Sequence, residues 1–267
     1  MIMLHKILSI LPGDHPWQNN IIFKESLAST NDLAKQFAQQ DAPEGTVILA
    51  GQQSAGRGRM GRSFFAPAGL GLYFSLIIRP CCQPKDLMHL TCAAAVAACD
   101  AIQAAAGIRP QIKWTNDLVI DSNKLGGILT EMSVNSKTGL VDWVVIGIGI
   151  NCLHQPADFP EELQDMTTSL LQAGKPASPG AVAAHLICAL HDICANLLPG
   201  KEDILAHYKV DCMTLHRDVV LLRGDEKQYG KALDIDENGG LIVRFQDGQI
   251  RSVQSGEISV RGLYGYA

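Results

Sequence analysis

The stretch Gly51 to Arg62 reads Gly-Gln-Gln-Ser-Ala-Gly-Arg-Gly-Arg-Met-Gly-Arg, and neither regular state accommodates it. Repeated glycine weakens helix and strand alike. The runs on either side, Thr46 to Ala50 and Leu70 to Ile78, are apolar and β-type. A chain with this signature must build a sheet whose strands are joined by an open, basic connection. No acidic residue falls between Glu44 and Asp86, whereas Arg57, Arg59, Arg62 and Arg79 do. The chain as a whole is acidic: 22 Lys and Arg against 27 Asp and Glu give a net charge of −5. Positive charge is therefore concentrated locally. Nucleic-acid binding over the whole surface is not expected, and a local anion site remains open.

The 267 residues fit one or two domains, and 47% hydrophobic with 18% charged residues is enough apolar matter for a sizeable core. No apolar run approaches the roughly 20 residues that span a bilayer. Met1 to Leu11 is short, interrupted by Lys6 and followed by Pro12-Gly13-Asp14, so it reads as an opening structural element. The eight cysteines form no spaced framework, and reduced thiols in the cytoplasm are expected.

Ser29-Thr30-Asn31-Asp32 predicts a helix start with a hydroxyl or amide cap, the helix running to about Gln40. Asp86 to Ala106 predicts a buried helix closed by Gly107, and Pro179 to Leu198 another, stopped by Pro199-Gly200. Strands are predicted at Gln111 to Trp114, Leu118 to Ile120, Lys124 to Met132 and Trp143 to Ile150. From about Leu215 short β-type runs follow one another: Val219 to Leu222, Gln228 to Ile235, Leu241 to Phe245, Ile250 to Val253 and Ile258 to Val260. Gly224-Asp225, Asn238-Gly239 and Asp247-Gly248 punctuate them, which predicts a small barrel after a boundary near Val210 to Thr214.

Three clusters can carry chemistry. In the Gly/Arg loop, Gly56, Gly58 and Gly61 permit close backbone approach, and guanidinium groups match phosphate or carboxylate; the alternative is a solvated basic turn. Gly56 to Gly61 fits G-x-G-x-x-G by letter, but the loop runs into Phe64-Phe65 and Pro67 rather than opening a helix. Lys113-Trp114-Thr115-Asn116-Asp117 followed by Lys124-Leu125-Gly126-Gly127 offers groups for a nucleotide or Mg²⁺, or is simply a hairpin with a polar turn. In Gly147-Ile148-Gly149-Ile150-Asn151 every second residue is small, leaving a flat face for a planar ligand or a packed helix. His185, Cys188, His191 and Cys194 drift around their helix and give no metal site, and Ser29 has no evident His/Asp partner for a hydrolase triad.

Taken in order, these segments resemble the biotin–protein ligase family. The matches are Ser29-Thr30-Asn31, Gln53-x-Ala55-Gly56-Arg57-Gly58-Arg59-x-Gly61-Arg62, Lys113-Trp114-x-Asn116-Asp117, Lys124-Leu125-x-Gly127-Ile128-Leu129 and Gly147-x-Gly149-Ile150-Asn151, with Gly256-Glu257-Ile258-Ser259 at the end. The resemblance covers about Phe23 to Arg261. It implies an α+β fold. A catalytic domain like those of class II aminoacyl-tRNA synthetases, with a mixed sheet and packed helices (residues 1–212), would precede an SH3-like β-barrel (residues 213–267). It implies an enzyme that activates biotin with ATP to biotinyl-5′-AMP and pyrophosphate. The enzyme would then transfer biotin to a lysine of a biotin carboxyl carrier protein.

Carried over residue by residue, Lys124, Arg59 and Asp117 are the expected catalytic groups. Ser29, Thr30, Asn31, Gln53, Arg57, Gly58, Arg59, Lys124, Gly127, Gly147 and Gly149 are expected at biotin. Arg57, Arg62, Lys113, Asn116 and Asn151 are expected at ATP, with Mg²⁺ accompanying it. The expected partners are the carrier protein of a carboxylase, biotin, ATP and, as in some family members, a second copy of the chain. Thr115 stands where the family often has Pro, and Gly126 where Ala is also seen. About 22 residues precede the catalytic domain, too few for the helix-turn-helix of family members that double as repressors, so DNA binding is not expected. The alternatives are a lipoate or octanoate ligase or transferase of the same superfamily, and a non-catalytic biotin or nucleotide sensor.

Overall fold

The computed structural model describes residues 2–223, 226–254 and 259–262. The turn at Gly224-Asp225 and the motif residues Gly256 to Ile258 lie outside the described residues.

The chain opens with α1 (Ile2–Ile10), β1 (Ile21–Leu27), α2 (Thr30–Gln39), β2 (Thr46–Gln53), β3 (Gly71–Ile78) and α3 (Leu90–Ala106). Four strands follow: β4 (Gln111–Lys113), β5 (Asp117–Ile120), β6 (Asn123–Val134) and β7 (Val141–Asn151). After the single turn α4 (Glu161–Gln164) come α5 (Pro179–Ala195) and α6 (Lys201–Asp211). The strands form one seven-stranded sheet in the order β1-β2-β3-β7-β6-β5-β4. It is mixed: β1 and β2 are parallel, and every other pairing is antiparallel.

Every residue of β3 is buried, because both faces of the sheet are covered. On one face Leu72, Phe74 and Leu76 join Val144, Ile146 and Ile148 against α3 and α5. Alanine-rich α3 can lie close to the sheet because its side chains are short. Burying each large aliphatic side chain here contributes about 1.5–3 kcal/mol. Contrary to the expectation that no apolar run is long enough to span a bilayer, Pro84–Ala106 is by length and composition, yet most of it is buried inside the protein as a core helix. On the other face α2 covers Ile48, Ile77 and Val145 through Ala34 and Ala38.

The helix ends follow their sequence signals unevenly. Gly107 closes α3 in the left-handed conformation (φ 69°), and its N–H donates to the Gln103 carbonyl. Ser178 caps α5, its hydroxyl accepting from Ala181 N (3.2 Å), with Pro179 in the first turn. The cap expected at the start of α2 is not made: Ser29 sits at the N-cap with no side-chain bond into the helix. The Thr30 N–H donates to Gln53 Oε1 (2.7 Å), and the Thr30 and Asn31 side chains turn toward the sheet. Besides the single turn α4, two longer elements have no sequence expectation. β1 has an exposed centre, Lys24-Glu25-Ser26, which hides its strand character. α6 follows the Pro199-Gly200 stop and buries Ile204, Leu205, Tyr208 and Asp211 along one side.

Beyond α6 come β8 (Asp218–Arg223), β9 (Glu226–Ile235), β10 (Leu241–Phe245), β11 (Ile250–Val253) and β12 (Ser259–Gly262). They form a second, antiparallel sheet in the order β11-β10-β9-β8-β12, the small SH3-like unit. Its Val219, Leu221, Leu241 and Val243 belong to the same continuous apolar cluster as α3 and the large sheet.

Candidate active site

The second face of the large sheet changes character along β7. Beyond Val145 the residues on that side are Gly147, Gly149 and Asn151, and here a cleft of about 1010 Å³ opens. The start of α2, the Gly/Arg loop, the β4–β5 turn, β6 and the segment around Phe159 to Thr167 surround it. Ser29, Thr30, Asn31, Gln53, Arg57, Gly58, Arg59, Arg62, Lys113, Asn116, Asp117, Lys124, Gly127, Gly147, Gly149 and Asn151 all line this one cleft.

At the α2 end the walls are cross-linked. Gln53 Oε1 accepts from both the backbone N–H and the hydroxyl of Thr30 (2.7 and 3.1 Å). Ser75 Oγ donates to Asn31 Oδ1 (2.6 Å) and lies 2.8 Å from Thr30 Oγ1. Asn31 Nδ2 donates to Glu131 (2.9 Å), which also receives Lys35 (2.7 Å). Gly147 is needed for this: a Cβ there would overlap the Asn31 carboxamide. A Cβ at Gly149 would meet the Phe64 ring, 2.6 Å away. The small residues of β7 therefore admit Asn31 and Phe64 beside the strand, and these two side chains shape what a ligand meets.

The Gly/Arg loop is a narrow antiparallel ribbon. Phe64 N donates to Gly56 O (2.8 Å), Gly58 N donates to Arg62 O (2.7 Å), and Arg57 bridges to Ser63. Its tip, Arg59 to Gly61, turns through Met60 at φ 56°. Gly56 must be glycine, because a Cβ would overlap the Phe64 carbonyl. The ribbon leans over the cleft and is tied at both ends. Arg57 Nε pairs with Asp32 Oδ2 (3.0 Å), and Arg59 donates to Asn116 Oδ1 (2.8 Å). Burial lowers the Arg59 pKa, opposed by nearby Asp117; a guanidinium still stays charged.

Across the cleft floor Lys124 Nζ pairs with Asp117 Oδ1 at 2.7 Å. Asn116 Nδ2 donates to Ile128 O (3.1 Å) and lies 3.3 Å from Asp117 Oδ1. Gly127 stands beneath this pair, where a Cβ would touch Lys124 Nζ and Asp117 Oδ1 at 3.5 Å. Gly126 has no such latitude, because a Cβ there would overlap the Gly149 carbonyl. Lys124 is also gripped through its backbone: its N–H donates to Met166 O and its carbonyl accepts from Thr168 N, both 2.9 Å. Asn151 Nδ2 donates to Thr168 O (3.0 Å), so one strap joins Lys124 to Asn151. Lys113 is buried at the root of the β4–β5 turn.

Asp32, Lys35, Ser75 and Glu131 were missed in the sequence reading, although they hold Asn31 and Arg57. Asp32 belongs to the Ser29-Thr30-Asn31-Asp32 run, but its pairing with Arg57, far along the chain, is not a local signal. Ser75 was hidden in an apolar strand. Phe159 lines the cleft and stacks on His154 (ring centroids 4.7 Å apart, 10° between planes), in a stretch with no motif. Among the described residues no group of three His, Cys, Asp or Glu is placed to hold a metal ion, and no cysteine is in a disulfide.

Residues 23–151 match the biotin/lipoate A/B protein ligase family, and residues 214–261 match the biotin protein ligase C-terminal domain. The bifunctional ligase/repressor BirA of Bacillus subtilis (strain 168) is 37% identical over 250 residues, covering 90% of this chain and 74% of that protein. The biotin–[acetyl-CoA-carboxylase] ligase of Paracoccus denitrificans is 40% identical over 213 residues, covering 76% of this chain and 85% of its own length. Among solved structures, the biotin protein ligase from Aquifex aeolicus in complex with biotin and ATP has a TM-score of 0.76 at 28% identity, covering 91% of this chain and 99% of that one. Both the cleft-bearing sheet and the small barrel thus have counterparts in these relatives, and the chain belongs to the biotin protein ligase family.

Proposed function

We infer that this protein is an ATP-dependent biotin–protein ligase. It joins biotin to AMP with release of pyrophosphate, and then passes the acyl group to a lysine of a biotin carboxyl carrier protein. The observation that carries the reading is the convergence of Lys124, Arg59, Asn116 and Asp117 at the floor and mouth of one cleft in a member of this family.

Two anions must meet for the first step. The biotin carboxylate attacks the α-phosphorus of ATP, and the bond to pyrophosphate breaks. The approach is repulsive until cations stand between the reactants. Lys124 is the group we place there: its ammonium exchanges part of its contact with Asp117 for the carboxylate and the phosphate. Arg57, Arg59 and Arg62 add positive charge from the ribbon, and Arg59 is held toward the β4–β5 turn by Asn116. Ser29, Thr30, Asn31 and Gln53, at the far end, are polar groups suited to a cyclic urea. Lys113, Asn116 and Asn151 serve the nucleotide. Closure of the ribbon keeps water from the mixed anhydride. In the second step a carrier lysine attacks the acyl carbon and AMP leaves, with Asp117 accepting a hydrogen bond from the incoming amine.

Mg²⁺ fits this cleft as a companion of the triphosphate. Such ions are held by one or two carboxylates plus phosphate oxygens, and Asp117 and Asp165 line the cleft. When bound it would neutralise phosphate charge. We place the architectural boundary between residues 212 and 213, where α6 ends and the chain turns toward the barrel. The expected setting is the cytoplasm, where carboxylase carrier proteins would meet the enzyme, and self-association remains part of the proposal.

The test is pyrophosphate release from Mg-ATP by the purified protein, with biotin or lipoate as acid. Release with biotin alone supports the reading. Release with lipoate moves the protein to the lipoate branch, and silence with both makes a non-catalytic sensor the better account.

A further inference from the structure

The barrel contributes no side chain to the cleft among the described residues, yet it grips the segment that does. The dipeptide Trp114-Thr115 leads from β4 into the turn bearing Asn116 and Asp117, and both residues are buried. Four of its polar groups have partners. Trp114 N donates to Thr214 Oγ1 (2.9 Å), and the Trp114 indole N–H donates to the Gly239 carbonyl (3.0 Å). The Tyr208 hydroxyl donates to Thr115 O (3.1 Å), and Thr115 Oγ1 lies 3.8 Å from Cys92 Sγ. Three of these grips come from α6, the linker and the barrel.

The β9–β10 turn that supplies Gly239 is itself prebuilt. Asp236 Oδ1 accepts from Asn238 N (2.8 Å) and Gly240 N (2.7 Å), and Asp236 also receives the Ser252 hydroxyl. Lys201 Nζ donates to Asn238 Oδ1 (3.1 Å), tying the turn to α6. Gly239 has φ 81°, and a Cβ there would stand 2.9 Å from Cys92 Sγ and 3.4 Å from His89 Cα. The turn is therefore a plug that fits against α3 only with its side chain removed. Alongside it the linker runs beside β4: Cys212 bridges Ile112, and Met213 N donates to Ile112 O (2.9 Å).

We propose that Thr214 and the Gly239 turn are positioning residues of the ligase: by fixing the backbone and indole of Trp114 they set where Asn116 and Asp117 meet Arg59 and Lys124. This rests on the ligase reading above for its catalytic half, but its structural half does not. Two hydrogen bonds on consecutive polar groups leave the tryptophan one orientation, and the next two residues inherit it. The barrel thereby acts on the chemistry without touching substrate.

The test uses the full chain with Thr214→Val, which deletes the acceptor and keeps the shape, and Thr214→Ser, which restores it. Hydrogen–deuterium exchange over residues 112–120 is expected to quicken about tenfold in Thr214→Val and to return to wild-type protection in Thr214→Ser. The rate of biotinyl-AMP formation, normalised to active sites, is expected to fall about tenfold in Thr214→Val, with the KM for biotin within twofold. Trp114→Phe, which removes the indole donor, is expected to quicken exchange in the same peptide. Unchanged exchange in both variants overturns the proposal, whatever the enzyme's substrate. Quickened exchange with an unchanged rate also overturns it, because the turn's placement would then not matter to the reaction. A wild-type protein that releases no pyrophosphate with biotin overturns the ligase reading and the catalytic half with it, while the exchange data still decide the structural half.

Discussion

Ile146 and Gly147 are consecutive residues of β7 that face opposite sides of one sheet, and the two sides are made of different materials. Ile146 lies fully buried with Leu76 and Val144 against α3 and α5. Gly147 looks onto Asn31, whose carboxamide bonds to Ser75 and Glu131. One face is aliphatic and close-packed, so its value is stability. The other exchanges apolar area for glycine and for polar cross-links, which hold side chains at fixed positions around a cleft. The strand serves both because its side chains alternate.

The largest expected effect lies on the cleft face. Lys124→Ala should lower biotin-dependent pyrophosphate release by about a thousandfold, roughly 4 kcal/mol in the barrier, with an unchanged melting temperature. Near-normal release would remove Lys124 from the mechanism and blur the division between faces.

The adjacent pair sharpens the comparison. Ile146→Ala should lower stability by roughly 2–5 kcal/mol in urea unfolding while leaving the KM for biotin within twofold. Gly147→Ala should do the reverse in emphasis. Its Cβ must displace Asn31, and we expect the biotin KM to rise at least about tenfold, a difference of about 1.4 kcal/mol. Equal effects on KM from the two substitutions would break the comparison.

His154 tests whether burial on the cleft side behaves like burial on the other. It is fully buried against Phe159, neither ring nitrogen has a hydrogen-bond partner among the described residues, and burial lowers its pKa from 6.5 to about 4. The neutral ring is thus favoured in the folded state. Its contribution is fully present above pH 6.5, the unfolded value, and is lost as the pH falls toward 4. The loss at pH 4 is on the order of 3 kcal/mol. Urea unfolding across this range should show the slope, and His154→Leu should flatten it. An unaltered slope in that variant would assign the acid sensitivity elsewhere.

The smallest effect is expected at Ser75, a single hydroxyl in an otherwise apolar strand. Ser75→Ala should cost about 1–2 kcal/mol of stability and raise the biotin KM only a few-fold, because Asn31 keeps Glu131 and Thr30 keeps Gln53. A loss as large as that of Gly147→Ala would make Ser75 the centre of the pocket rather than a brace.

Much of this was legible in the sequence, for reasons that differ by region. The aliphatic face announced itself through the runs of β3 and β7 and through the alanines of α3. The residues that line the cleft were legible as motifs because close backbone approach and clustered charge need particular types at close spacing: glycine where Gly56 meets the Phe64 carbonyl, lysine near a Gly-Gly pair. The pairings were not legible. Arg57 to Asp32, Lys35 to Glu131 and Trp114 to Gly239 join residues distant in the chain, and no local period encodes them. The bond from Thr30 to Gln53 is of the same long-range kind, and the Ser29 side chain makes no cap bond although its position is that of a cap. β1 escaped because its middle is solvated, and α6 because a strong helix stop stands just before it.

The apolar cluster that runs without a break from α3 into β8 and β10 has a consequence for how this molecule melts. A calorimeter should record one transition, because neither lobe can lose its interior while the other keeps its own. A barrel transplanted from a relative would have to match Leu241 and Val243 in shape to keep that shared interior filled. A single transition would mean that heat does not distinguish the large sheet from the small one, whatever the chain trace suggests.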